Sequence, residues 1–150
     1  DWRSRVLIIM RRLDHSAIFV MIAGSFTPIC LLVLPGNTGI QLLFIIWIIA
    51  GIGILQTVLF TETPRLIRAG IYLVAGYMAI PYLSIMFSVM SMTNFILTAA
   101  SGTIYTVGAI GYGFQFPDIS PKYFGYHEFF HILVSIAAVL HFIVIYSIVG

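Results

Sequence analysis

The most regular feature of this sequence is a series of long apolar runs separated by short polar connections. The runs span Ser16–Leu34, about Ile40–Phe60, about Leu66–Phe87, about Phe95–Phe114 and about Tyr126–Val149. About 20 consecutive apolar residues form a helix long enough to cross the hydrocarbon core of a bilayer. The pattern therefore predicts an all-α, multi-pass membrane protein whose five transmembrane helices form one domain over residues 1–150.

The connections contain residues that end helices or favour turns. Pro35-Gly36-Asn37 follows the first run and Pro64 follows the second. Pro81 lies inside the third run, where it should kink the helix or end it early because proline lacks the N–H group that a helix needs. Gln115–Gly125 predicts the longest loop. The fourth run carries four glycines, which predict close helix packing in lipid: Gly102, Gly108, Gly111 and Gly113.

The composition excludes a water-soluble domain. Hydrophobic residues make up 61% of the chain and charged residues 8%, whereas a typical soluble domain is about one quarter charged. The net charge of +2 gives no support for nucleic-acid binding. The single cysteine, Cys30, cannot form an internal disulfide and favours a packing role. The chain starts at Asp1 without a signal-peptide pattern, so we expect the N-terminus to be missing or processed.

The basic residues predict how the helices are oriented. All of them precede helix one or lie in the connections between helices two and three and between helices four and five. Because basic residues are retained in cytoplasmic loops, we expect a protein of the cell (plasma) membrane with these loops cytoplasmic and an exoplasmic C-terminus. The seven residues are Arg3, Arg5, Arg11, Arg12, Arg65, Arg68 and Lys122.

Ionisable residues at the start of two predicted helices indicate a metal site. His127 and His131 are four residues apart, so they differ by about 40° and share one helical face. Asp14 begins helix one on the same predicted side of the membrane, so the two clusters can meet. Neutral imidazoles with a carboxylate suit Zn²⁺, which keeps an open position when it has three protein ligands. A hydrogen-bonded histidine pair without metal is the alternative.

Two other histidines have different expected roles. His15 points about 100° away from Asp14, so at most one of the two should face the metal bound by His127 and His131. Asp14 is the better candidate. His141 lies ten residues beyond His131, which is about 15 Å along a helix and too far to share that metal. We therefore expect His141 to form a hydrogen bond between helices.

The segment from His127 to His131 also fits the H-E-x-x-H pattern of zinc metalloproteases, in which the glutamate is the general base. Such a protease needs a third ligand, and the only downstream candidate, His141, lies well away. Glu128 is about 60° from the mean face of the histidine pair. It could orient a ligand or face lipid headgroups, and both roles stay open.

Several segments together resemble the hemolysin III family, which is related to the adiponectin and progestin receptors. They are Leu13–Ile18, Ile22–Pro28, Gly125–His131 and Leu140-His141-Phe142. The resemblance covers essentially the whole chain. It implies a seven-helix bundle with a cytoplasmic N-terminus, in which the helices of this chain are the third to the seventh.

The resemblance also implies a zinc site with three histidines. Two of them map onto His127 and His131, and Asp14 maps onto the aspartate that holds the metal-bound water. The third histidine belongs to the family's second helix, which would precede Asp1. We therefore expect the chain to be a fragment.

The leading functional hypothesis is a zinc-dependent membrane hydrolase in which Asp14 orients or deprotonates the zinc-bound water. A lipid amide is the expected substrate, because membrane lipids reach a site within a helical bundle directly and the superfamily that the chain resembles includes ceramide-cleaving activity. A receptor or sensor with structural zinc fits the sequence equally well. A lytic membrane protein is a further alternative, although no amphipathic charged helix or polar stripe indicates a pore. The sequence does not indicate an oligomeric state.

The basic-residue pattern leads to a topology prediction. A cysteine tag in the 115–125 loop of the intact protein should be shielded from an impermeant thiol reagent added to whole cells, whereas a tag after Gly150 should react. Permeabilised cells, in which both tags should react, are the control. Equal labelling of both tags in intact cells would contradict the five-span orientation.

Overall fold

The computed structural model describes residues 2–60, 63–117 and 125–150, with side chains from residue 5 onward. Within these ranges, five helical spans are long and apolar enough to cross a membrane. The chain is therefore an all-α, multi-pass membrane protein, as the apolar runs predict. The spans are Arg5–Leu32, Asn37–Leu59, Arg65–Val89, Met92–Phe114 and Tyr126–Val149.

The first helix, α1, is longer than its apolar run. It extends over Trp2–Leu32 and so begins well before the expected start at Ser16. The added segment contains Arg, Leu, Ile and Met without Gly or Pro, and most of these residues favour helix. Hydropathy marks the membrane-crossing part of a helix, whereas nothing in this segment ends the helix itself.

A tight turn joins α1 to α2, which spans Asn37–Leu59. Gly36 has φ +56° and ψ −136°, a conformation that is open almost exclusively to glycine. One turn later, a Cβ atom on Gly39 would clash with the backbone carbonyl oxygen of Cys30. The two glycines let α2 fold back directly against α1.

The third span is broken as its proline predicts. Helix α3 covers Arg65–Tyr77, a 3₁₀ turn covers Ile80–Tyr82, and α4 covers Leu83–Val89. Pro81 lies within the 3₁₀ turn, where its missing N–H interrupts the α-helical hydrogen bonds.

The last two helices are α5, over Met92–Phe114, and α6, over Tyr126–Val149. Ser91 caps α5, since its side chain accepts a hydrogen bond from the Asn94 backbone N–H at 3.2 Å. This cap explains why α5 begins slightly before the expected start at Phe95. Most of the predicted loop between α5 and α6 lies outside the described residues.

Helix packing brings α1, α3, α5 and α6 together. Helix α5 packs along α6 and α3, while α1 packs along α2 and also contacts α3 and α6. A Cβ atom on Gly108 would lie 3.2 Å from the Phe130 ring, and one on Gly113 would lie 3.2 Å from the Ala69 Cβ. The packing role predicted for these two glycines is confirmed. The predicted packing role is wrong for Gly102, where a Cβ atom would meet no described atom within 4 Å.

The outer surface of the bundle is apolar. Phe44, Leu66 and Phe142 are 66%, 58% and 65% exposed, although such side chains are usually buried in soluble proteins. The buried positions include Ala23, Ala50 and many larger apolar residues, but also His15, Arg68 and His141. Polar groups inside and apolar groups outside match a helical bundle surrounded by lipid.

Candidate metal centre

Three side chains from two helices converge at one end of the bundle. Asp14 on α1 faces the first turns of α6, where His127 and His131 lie on one helical face. The Nε2 atoms of the two histidines are 3.1 Å apart. Asp14 Oδ2 lies 3.2 Å from His127 Nε2, and Asp14 Oδ1 lies 3.0 Å from His131 Nε2. The closest approaches between the three groups are therefore all 3.0–3.2 Å, with a different Asp14 oxygen next to each histidine.

The three groups lie close enough together to share one metal ion. For metal–ligand distances of about 2.0–2.2 Å, as at zinc, two ligands of a tetrahedral ion lie about 3.3–3.6 Å apart. The observed spacings of 3.0–3.2 Å are only a few tenths of an ångström shorter. The two imidazole nitrogens lie next to each other and to the carboxylate. Each neutral imidazole nitrogen has a lone pair that can bind a cation shared with the carboxylate. Asp14, His127 and His131 together can therefore hold a metal ion.

Asp14, His127 and His131, called the metal group below, lie at the edge of the bundle rather than in its core. The side chains of His127 and His131 are each 37% exposed, and that of Asp14 is 32% exposed. A ligand can therefore reach the centre. The structure brings together the three residues that the sequence predicts for this site.

His15 does not join this group and instead turns into the bundle. Arg68 Nη1 on α3 donates a hydrogen bond to His15 Nε2 at 2.6 Å. With Nε2 accepting, the ring proton is on Nδ1, which lies 3.4 Å from the Tyr72 hydroxyl. The Tyr72 hydroxyl in turn donates to the His15 carbonyl oxygen at 3.5 Å. The inference that only one of Asp14 and His15 faces the metal group agrees with this arrangement.

Glu128 has a structural partner of its own. Its Oε2 atom accepts a hydrogen bond from the Gly125 backbone N–H at 3.0 Å, and its side chain is exposed. A carboxylate in the first turn also stabilises the positive end of the helix dipole. The structure therefore shows Glu128 as a residue that caps the start of α6.

His141 connects two helices, as expected. It is 1% exposed, and its Nδ1 atom is hydrogen-bonded to the Ser101 hydroxyl of α5. Its Nε2 atom is buried and has no hydrogen-bond partner among the described residues. Phe26 lies against the ring with a centroid distance of 5.4 Å. His141 belongs to the packing between α1, α5 and α6 rather than to the metal group.

A cavity of about 730 Å³ opens beside the metal group. Asp14 and His127 form part of its wall, and the other lining residues include Tyr112, Thr57 and four arginines. From the sequence these arginines are predicted only as orientation signals, and no role is predicted for Tyr112 or Thr57. The one sequence feature that could have indicated a role for Arg68 in the cavity is its position three residues inside a spanning helix. The arginines are Arg11, Arg12, Arg65 and Arg68.

Comparison with known proteins gives the same family as the sequence motifs. The family described as "Haemolysin-III related" matches residues 2–142. The protein named "Hemolysin-3 homolog" from Bacillus subtilis (strain 168) is 38% identical over 104 residues, which are 69% of this chain and 49% of that protein. "Hemolysin-3" from Bacillus cereus is 39% identical over 100 residues, which are 65% of this chain and 45% of that protein.

The chain thus spans about half the length of these curated relatives. No solved structure matches it.

The metal centre can be tested by histidine substitution. In the intact protein, His127→Ala or His131→Ala should weaken metal binding by about 100-fold or more, because changes even to groups behind a ligand weaken it by about 10- to 100-fold. His141→Ala is the matched control and should leave the metal content unchanged. Elemental analysis of the purified variants by mass spectrometry provides the measurement. Equal metal loss in all three variants would contradict the ligand assignment.

Proposed function

The chain belongs to the haemolysin-III-related family, and from this premise we propose that it is part of a zinc-dependent membrane hydrolase that acts on a lipid amide. The observation that carries the proposal is the convergence of Asp14, His127 and His131, which are close enough to hold one metal ion and lie beside a cavity. The membrane-spanning helices and the three converging side chains are observed in this chain. We propose that the bound metal is zinc, that the reaction is hydrolysis and that the substrate is a lipid amide.

The chemistry of the ligands favours zinc. Imidazole nitrogen and carboxylate oxygen are both common zinc ligands, and a catalytic zinc site keeps at least one position for water or substrate. His127 and His131 would hold the ion through Nε2. When bound, zinc lowers the pKa of its coordinated water towards neutrality and polarises a carbonyl oxygen.

Asp14 is the best-placed base. Its two carboxylate oxygens lie next to both histidine nitrogens at 3.0–3.2 Å, so either oxygen can accept a proton from water at the same centre. In amide hydrolysis the water oxygen joins the acyl carbon, the C–N bond breaks, and the departing amine takes up a proton. Asp14 can accept the proton of the water and then deliver it to the amine.

The position of the site favours a substrate that is already in the membrane. The metal group and its cavity lie at the end of a bundle whose outer surface is apolar. A lipid can place its polar linkage at this end while its chains stay in the bilayer. We place this end at the cytoplasmic face, because Arg11, Arg12 and Arg65 are at the same end and basic residues are retained there.

The environment of Glu128 argues against a metalloprotease of the H-E-x-x-H type. In that mechanism the glutamate must reach the water at the metal. Here the Glu128 carboxylate binds the Gly125 backbone N–H, while Asp14 occupies the position between the histidines. These contacts support Asp14 as the general base.

A pair of substitutions distinguishes the two candidate bases. In the zinc-loaded intact protein, Asp14→Asn should retain most of the zinc, because both histidines remain and the asparagine keeps one side-chain oxygen in place, and should reduce lipid-amide hydrolysis by about 100-fold or more because the base is lost. Glu128→Gln is the matched control and should retain both zinc and activity. Zinc content and hydrolysis of a panel of lipid amides provide the measurements.

Two results would contradict these assignments. Full activity in Asp14→Asn with an inactive Glu128→Gln would make Glu128 the base. Zinc binding by the unsubstituted protein without hydrolysis of any lipid amide in the panel would instead favour the receptor or sensor hypothesis.

A further inference from the structure

Arginines predominate on the described wall of the cavity beside the metal group. Four guanidinium groups line it, from Arg11, Arg12, Arg65 and Arg68, and Asp14 is the one carboxylate on its described wall. Glu62 and Asp118 lie outside the described residues. Basic residues at a membrane surface usually extend towards headgroups and water, so their concentration around one cavity calls for a separate explanation.

Arg68 is the most informative of the four because it is buried. It is 8% exposed, and its recorded partners within the described ranges are all uncharged. Nη1 binds His15 Nε2 at 2.6 Å and the Tyr112 hydroxyl at 3.2 Å, and Nη2 binds the Thr63 carbonyl oxygen at 3.5 Å. A buried cation without an anion is unfavourable, so such a residue usually has a counter-ion.

Two hydrogen-bonding groups on the cavity wall also lack partners. Among the described residues, the buried Arg68 Nε has no hydrogen-bond partner, and neither has the hydroxyl of Thr57, which is 2% exposed. Both residues line the cavity. Buried polar groups are nearly always hydrogen-bonded. A ligand with several acceptor oxygens would satisfy both groups and balance the charge of Arg68.

From these observations we propose that this cavity binds the phosphate group of a phosphate monoester, either a lipid headgroup or a soluble molecule. Arg68 and Thr57 donate hydrogen bonds to the phosphate oxygens, and Arg65 adds positive charge at the rim. Arginine suits this role because its planar guanidinium matches the geometry of phosphate. A phosphate monoester carries close to two negative charges at neutral pH, which fits a wall with four arginines better than a single carboxylate does.

The location of this phosphate site deepens the proposed function and rests on it. Asp14 and His127 belong both to the cavity wall and to the metal group, and the His15 and His127 rings are 6.0 Å apart between their centroids. A bound phosphate would hold the rest of the molecule next to the metal group. The substrate of the hydrolase would then be a lipid amide that also carries a phosphate.

Binding can be tested without any hydrolysis. Intact protein in detergent micelles is titrated with radiolabelled phosphatidic acid, with phosphatidylcholine as the lipid that lacks a monoester. Arg68→Gln should weaken phosphatidic acid binding by about 10- to 100-fold, since a hydrogen bond to a charged group is lost. Thr57→Val and Arg65→Gln should each weaken phosphatidic acid binding by about 5-fold or more. These two variants test the site even if Arg68→Gln does not fold.

Arg5→Gln is the matched control, because Arg5 is exposed on α1 and is not part of the cavity wall. It should bind phosphatidic acid like the unsubstituted protein. All titrations are repeated with EDTA, so that binding to the metal is separated from binding to the arginines. Binding that persists in EDTA supports the phosphate site even if no lipid amide is hydrolysed.

The source of the phosphate is determined by competition. Inorganic phosphate that displaces phosphatidic acid at low millimolar concentration indicates a soluble phosphate ester, whereas displacement by lipid alone indicates a headgroup, and either result supports the site. The proposal is overturned if phosphatidic acid binds no better than phosphatidylcholine. It is also overturned if Thr57→Val and Arg65→Gln bind as tightly as Arg5→Gln.

Discussion

A polar side chain inside a membrane-spanning bundle has no water to bind, so its partners must come from neighbouring helices. This constraint organises the end of the bundle at which the metal group lies. His15 on α1 is held by Arg68 and Tyr72 on α3, and Arg68 also binds Tyr112 on α5. Three helices are thereby tied together one residue away from Asp14. The carboxylate that faces the histidines is therefore positioned by a network that begins at the next residue of α1.

The close packing of α5 against α6 positions the other half of the metal group. Gly108 leaves room for the Phe130 ring. Phe130, which lies between the two histidines in the sequence of α6, is 1% exposed. Tyr112 contacts both Phe130 and His127, with ring centroids 5.2 Å and 6.0 Å away. A Cβ atom at position 108 would require the Phe130 ring to shift by a few tenths of an ångström. The packing beside the histidines thus depends on a glycine that is not part of the metal group.

Much of this arrangement could be predicted from the sequence because it depends on local periodicity. The apolar runs indicate the spans, Pro81 indicates the break in the third span, and the spacing of His127 and His131 places both on one face. Arg68 could not be predicted in the same way, since its partner His15 is 53 residues distant in sequence and an arginine near a helix end usually serves as an anchor. The packing of Gly102 was mispredicted for a related reason: composition gives the number of small residues on a helix but not the side that meets a neighbour.

The charges of the two adjacent clusters also bear on the proposed chemistry. Two neutral imidazoles and one carboxylate leave a bound divalent cation with a net charge of about +1, and Arg68 adds a second positive charge behind His15. Negative charge develops on the carbonyl oxygen during amide hydrolysis, and preorganised positive groups in a partly dehydrated site stabilise it more strongly than water does. The same field would attract an anionic substrate into the cavity. In the proposed function, the arginines would therefore favour the binding of a phosphate-bearing lipid, while the metal centre would stabilise the negative charge that develops on its carbonyl oxygen.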